Sequence, residues 1–224
     1  MLMKNDTLID RLLFRITLGI LLFLLLVVRV YYQTDAFVLL NHYHSPGSDI
    51  FFAYFTYLGD GLFCCAIIVA LWLCGKKPLS YKLVTGFLLS GLFVQVLKNV
   101  IRAPRPKEIL SEHVYSHFIN GVTHVGHSSF PSGHTATAIM LANIVAFNSS
   151  NTFLKILLYA LALAVGYSRI YLGQHFAEDV LGAIIVGLLT AKLVEYIFKF
   201  QLPKWTNYNQ KNFTIGSNRA GTQL

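Results

Sequence analysis

The chain has 224 residues, of which 55% are hydrophobic and 12% charged, with a net charge of +8 and a mean hydropathy of +0.57. So large an apolar excess excludes a soluble globular domain of ordinary composition and points to a protein that lives in a bilayer. The positive balance does not indicate a nucleic-acid partner, because the basic residues form no run or stripe interleaved with aromatics.

Residues 1–11 are polar and carry Lys4 and Arg11, after which 12–30 is almost continuously apolar and predicts a first membrane span. Bulky Arg29, Val30, Tyr31 and Tyr32 stand at its end, with no small-residue cleavage site, so the segment reads as an uncleaved anchor. The stretch from Tyr31 to Ser48 is polar and turn-rich, and its His42 and His44 read as interfacial loop residues rather than ligands. A second span is predicted over 50–74. It contains Asp60 between two glycines, a carboxylate that is either an accessory to function or sits in a break near the interface. Cys64, Cys65 and Cys74 have no spacing suited to a metal or a disulfide framework and read as packing residues.

A third span over 83–101 ends with Lys98 in its last turn, and a long polar segment over 102–130 follows. That segment holds His113, His117, His124 and His127, which read as scattered histidines of a polar cap, since no cysteine or paired carboxylate completes a coordination set. The remaining spans are predicted over 133–147, 153–171 and 176–198, with a polar, flexible tail over 201–224. The expectation is therefore an all-α bundle of six transmembrane helices, one domain over 1–200, with a polar outer loop between helices 3 and 4. Of the 18 Lys and Arg, only Arg29, Lys98, Arg102, Arg105, Lys107 and Arg169 fall on the side of that loop, so the positive-inside rule puts both termini in the cytoplasm.

Three short blocks carry chemistry. Lys98 precedes Arg105-Pro106 by six intervening residues, Pro131-Ser132-Gly133-His134 opens a helix, and Ser168-Arg169 is followed by His175 and Asp179. The tetrapeptide alone has the makings of an anion site, because Pro and Ser favour a helix start whose free N–H groups attract phosphate. Together, in order and with spacing intact at all eleven specified positions, the blocks resemble the signature of the type 2 phosphatidic acid phosphatase superfamily. The resemblance covers roughly residues 50–190. On the six-span topology all three blocks reach the same face of the membrane.

Phosphate ester cleavage requires stabilised oxygens, a nucleophile and a proton for the departing oxygen. Lys98, Arg105 and Arg169 offer cationic donors, the arginines with bidentate geometry, and Ser132 and the Gly133 N–H add neutral ones. Arg102 is a possible further accessory. His175 and Asp179, four apart, share a helix face, so the carboxylate can hold one ring nitrogen while the other attacks phosphorus. His134 is then the general acid. The resemblance implies the same roles, a covalent phosphohistidine, no cofactor and no metal. It implies as partners the bilayer and a phospholipid, polyprenyl or lipid A phosphate substrate, with a bacterial inner membrane as the setting and the site facing the periplasm or exterior. Candidate substrates are undecaprenyl pyrophosphate, phosphatidylglycerol phosphate, phosphatidic acid and the phosphates of lipid A. Transfer of the phosphoryl group to a lipid acceptor, and a catalytically silent lipid-binding scaffold, remain as alternatives.

Overall fold

The computed structural model describes Gly19 and residues 32–217, with side chains through Lys199. The first predicted span thus lies, apart from Gly19, outside the described residues. Among the described residues there is no strand. The elements are α1 (Gln33–Leu40), α2 (Pro46–Phe55), a 3₁₀ turn (Thr56–Gly59), α3 (Gly61–Leu73), α4 (Lys77–Ile101), α5 (Pro106–Ile109), α6 (Gly133–Phe147), α7 (Thr152–Tyr171) and α8 (Ala177–Ser217).

Side-chain caps set several of these boundaries. Ser45 Oγ accepts the Ser48 N–H before α2, Asp60 Oδ1 accepts the Leu62 N–H at 2.8 Å before α3, and Asn151 Oδ1 accepts the Leu154 N–H before α7. At the other end of α4, Arg102 takes a left-handed conformation with φ of 49° and returns its N–H to the Lys98 carbonyl.

Among the described residues three helical stretches are long and apolar enough to cross a membrane, at Lys77–Ile109 (α4 with α5), Thr152–Tyr171 and Ala177–Lys199, and a fourth crossing is counted if the bent pair Pro46–Gly59 and Gly61–Leu73 is one span. The six-span expectation needs amendment at three places. Its second span is broken by a 52° bend at Asp60. Its third begins at Lys77 rather than residue 83, since the Lys77-Pro78 start is polar in composition yet well suited to a first helical turn. Its fourth, α6, has 15 residues, about 22 Å of helix against a hydrocarbon core of about 30 Å. The α8 backbone also stays helical to Ser217, past the start of the predicted tail, because polar side chains remove an apolar face without removing helix hydrogen bonds.

Short as it is, α6 is the axis of the bundle. It packs against α4, α7, α8 and the 3₁₀ turn, and eleven of its residues, from Thr135 to Ala146, are buried. Such all-round burial explains why it shows no amphipathic pattern. Its Ala136, Ala138, Ala142 and Ala146 let neighbouring backbones come close. At one end of the bundle α4, α6 and α8 are tied by Lys82, whose Nζ donates to Glu195 Oε2 and to Asn148 Oδ1, both at 2.7 Å. The other end carries the motifs.

At Gly187 α6 and α8 approach closely: a Cβ there would stand 2.9 Å from the Ala136 carbonyl oxygen and from Ile139. Gly187→Ala therefore costs about 1–3 kcal/mol through forced separation of the two helices. The measurement is the unfolding temperature in detergent, compared with Gly91→Ala, a site where a Cβ meets nothing within 4 Å; equal temperatures for the two variants would remove the packing argument.

Candidate active site

The last turns of α4 and α7 and the first turns of α6 and α8 converge at one end of the bundle, beside the Asp60 bend. Between them lies a pocket of about 700 Å³ lined by Lys98, Arg105, Gly133, His134, Arg169 and His175, together with Thr56, Tyr57, Gln174 and the loop residues Ile119, Val122 and His124. Side chains from three sequence blocks up to 77 positions apart, Lys98 to His175, thus face one cavity.

His175 sits in the short turn between α7 and α8 with its side chain 3% exposed. Its Nδ1 lies 3.3 Å from Asp179 Oδ2, one helical turn on. The same carboxylate oxygen accepts the Ser129 hydroxyl at 2.5 Å and the Phe176 N–H at 2.9 Å. Nδ1 is thereby engaged, and Nε2 is left toward the pocket. Burial lowers the proton affinity of His175 below that of a free imidazole, against the pull of Asp179. The ring is therefore neutral at pH 7 and keeps a lone pair.

The three cations are held by neutral partners. Lys98 Nζ donates to the Ser128 carbonyl at 2.8 Å. Arg105 Nη1 donates to Gln174 Oε1 at 2.7 Å and to the Gln174 carbonyl at 3.1 Å. Arg169 is buried; its Nη1 donates to Thr56 Oγ1 at 2.8 Å while its Nε has no hydrogen-bond partner among the described residues. Among the described residues no carboxylate forms an ion pair with any of the three, so their charge is directed at the cavity.

His134, in the first turn of α6, presents Nε2 3.6 Å from Asp60 Oδ2. The approach of the bend to α6 depends on Gly59, where a Cβ would come 2.6 Å from the His134 carbonyl oxygen. Ser132 behaves differently from the expectation. It is fully buried and its Oγ accepts both the Thr135 N–H and the Thr135 hydroxyl, so it caps α6 from behind the cavity instead of lining it. Gly133 does line the pocket, and nothing crowds its Cα. Arg102 is exposed, with Nε on the Asn99 carbonyl, and closes α4 without lining the pocket.

Ser129, Thr56 and Gln174 were not singled out by the sequence. Gln174 does adjoin His175, which is a usable hint, but Thr56 reaches Arg169 across 113 positions and Ser129 reaches Asp179 across 50. Neither contact has a local signature. The loop histidines do not gather as a helical metal set: His124 lines the pocket, while His117 pairs with Asp49.

Several known proteins resemble this chain in sequence and fold. Lipid A 4'-phosphatase of Porphyromonas gingivalis is 29% identical over 180 residues, 77% of this chain and 75% of that protein. Undecaprenyl-diphosphatase BcrC of Bacillus subtilis is 29% identical over 128 residues, 55% of this chain and 61% of its own length. Among solved structures, LpxE of Aquifex aeolicus matches with a TM-score of 0.63 at 30% identity, over 72% of this chain and 93% of that one. A PAP2-type phosphatidylglycerolphosphate phosphatase from Bacillus subtilis has the same fold, with a TM-score of 0.61 at 24% identity over 82% of this chain and 96% of that one. The signature of the PAP2 superfamily matches residues 80–202, which contain every pocket-lining motif residue, and the chain belongs to that family.

Proposed function

We propose that this protein is a membrane phosphatase that hydrolyses a phosphate monoester or diphosphate of a lipid headgroup through a phosphohistidine intermediate. The observation that carries the reading is a buried His175 anchored on Asp179 in the same cavity as three cations that, among the described residues, have no carboxylate partner. A cavity of that charge has little use for a neutral ligand. Lys98, Arg105, Arg169 and the Gly133 N–H hold the phosphoryl oxygens, and Ser132 fixes the helix start that aims the N–H.

The in-line step then follows from position. His175 Nε2 attacks phosphorus while the Nδ1–H stays on Asp179, the P–O bond to the lipid breaks, and His134 gives its proton to the departing oxygen. Water, deprotonated by the now neutral His134, attacks the phosphohistidine on the second step and releases inorganic phosphate. Asp60 holds the His134 ring. Side-chain cations supply the charge that stabilises the transition state, so no metal is required by this scheme.

The lipid class follows from placement. The pocket opens at the end of apolar helices, which suits a substrate whose phosphate lies at headgroup depth while its chains stay in the bilayer. The relatives act on undecaprenyl diphosphate, lipid A and phosphatidylglycerol phosphate by their names, and those substrates, with phosphatidic acid, are the candidates here. The distribution of basic residues supports an inner-membrane protein with cytoplasmic termini and an outward-facing site. Phosphotransfer to a lipid acceptor uses the same residues and differs only in the second step.

The deciding experiment is phosphate release by purified protein with chelator present, across those four lipids. Release from one of them, reduced by on the order of 10⁴-fold or more in His175→Ala, is expected; no release from any of them by the wild type would end the hydrolase reading. Arg169→Ala lowers kcat by about 10²–10³-fold. Asp60→Asn lowers it by roughly ten- to a hundredfold with little change in KM, less than removal of the acid itself. Because the His175 pKa lies below 6.5, the nucleophilic form is already dominant at that pH. Phosphoenzyme formation, followed by rapid quench with a radiolabelled lipid, therefore does not slow as pH is lowered from about 8 to 6.5 on account of His175.

A further inference from the structure

Beside the pocket, at its rim, a second group of side chains comes together that the phosphatase scheme does not use. His44 belongs to the turn between α1 and α2, Asp49 to the first turn of α2, and His117 to the loop between α5 and α6. Each offers one ligand atom, and these atoms lie within 4.8 Å of one another. We propose that His44, Asp49 and His117 form a binding site for a divalent transition-metal ion, with Zn²⁺ the best match, that fastens the loop over 102–132 to the α1–α2 corner at the rim of the pocket.

The donor set is the first argument. Two imidazoles and one carboxylate suit zinc, which takes His nitrogen and carboxylate oxygen in a tetrahedral shell and accepts water as the fourth ligand. Such ligand atoms stand roughly 3.3 Å apart around the ion, so the three side chains need only rotamer adjustments to close on it.

Outer support is the second argument. Metal-bound histidines and carboxylates are normally oriented by further hydrogen bonds, and both kinds are present. The Tyr115 hydroxyl is hydrogen-bonded to His44 Nε2 at 2.9 Å, and the Tyr171 hydroxyl donates to Asp49 Oδ1 at 2.6 Å. His44 and His117 are already stacked, with ring centroids 3.9 Å apart.

A plain hydrogen-bonded cluster accounts for part of this geometry, since His117 Nε2 lies 3.1 Å from Asp49 Oδ2. It does not account for His44. With Nε2 on Tyr115, its Nδ1 is buried with the Asn41 backbone beside it. A buried imidazole beside a carboxylate and a second imidazole supplies the third donor of such a shell. The inference does not rest on the phosphatase reading, because neither His44 nor His117 lines the pocket; Asp49 does line it and joins the two groups.

The test uses full-length protein carrying a purification tag without histidines, stripped with chelator and titrated with Zn²⁺ against a chromophoric competitor. One ion per chain is expected, with affinity lowered at least ~100-fold by His44→Ala and by His117→Ala. His134→Ala and Cys65→Ser leave it unchanged, which separates this site from the catalytic histidines and from an exposed thiol. Zinc is also expected to protect the loop over 102–130 from limited proteolysis. Absence of zinc binding, binding that survives both histidine variants, or loss with Cys65→Ser overturns the proposal. Should either histidine variant fail to fold, X-ray absorption at the zinc edge of the wild type decides: a nitrogen and oxygen shell with imidazole scattering supports the site, and a sulfur shell refutes it.

Discussion

Asp179 is the residue on which the rest of the site depends. One of its carboxylate oxygens accepts from the His175 ring, the Ser129 hydroxyl and the Phe176 N–H, while its backbone carbonyl accepts the Ser132 N–H at 3.1 Å. A single position at the start of α8 thus fixes the turn after α7, the end of the long loop and the cap of α6. A buried carboxylate is costly unless it is hydrogen-bonded. Here every bond that offsets the cost also positions a residue of the pocket, so stability and alignment rest on the same atoms.

The short length of α6 has a related logic. A longer helix would carry its start, and His134 with it, beyond the ends of its neighbours. Fifteen residues surrounded by other helices instead set the helix start within the bundle, where the ends of α4 and α7 reach it. Alanines and the Gly187 contact let backbones approach. The bend at Asp60 serves the same end: Gly59 admits the His134 carbonyl, and the Asp60 side chain both caps α3 and faces the His134 ring. Asp60 therefore has a structural and a chemical claim on the same carboxylate, one oxygen to each.

What could be read from the sequence was what is local. His175 and Asp179 share a helix turn, Pro131 to His134 announce a helix start, and Lys98 and Arg169 lie in last turns, so their convergence needed only the helix order. The Gly-Asp-Gly at residues 59–61 was legible as a break but not as a partner of His134, because that contact spans 74 positions. Ser132 was read as a phosphate donor when its hydroxyl caps α6, since both roles favour serine at a helix start and only the rotamer distinguishes them. His44 passed as an interfacial loop residue for a similar reason: its neighbours Asp49 and His117 come together only when the loop folds back over α2.

The charge arrangement gives these details a common direction. Arg169 is held by one hydroxyl, Arg105 by a glutamine and Lys98 by a carbonyl, all neutral groups that orient a cation without cancelling it. Desolvating a guanidinium without a carboxylate costs several kcal/mol, and the nearest acids, Asp60 and Asp179, are committed to histidines instead. The cavity therefore carries an electrostatic penalty that an anion with several oxygens relieves at once. Binding energy of that kind grows as charge accumulates on the equatorial oxygens and is largest when phosphorus is five-coordinate. Under the proposed hydrolysis, the neutral partners are the means by which the fold keeps its cations available to the transition state.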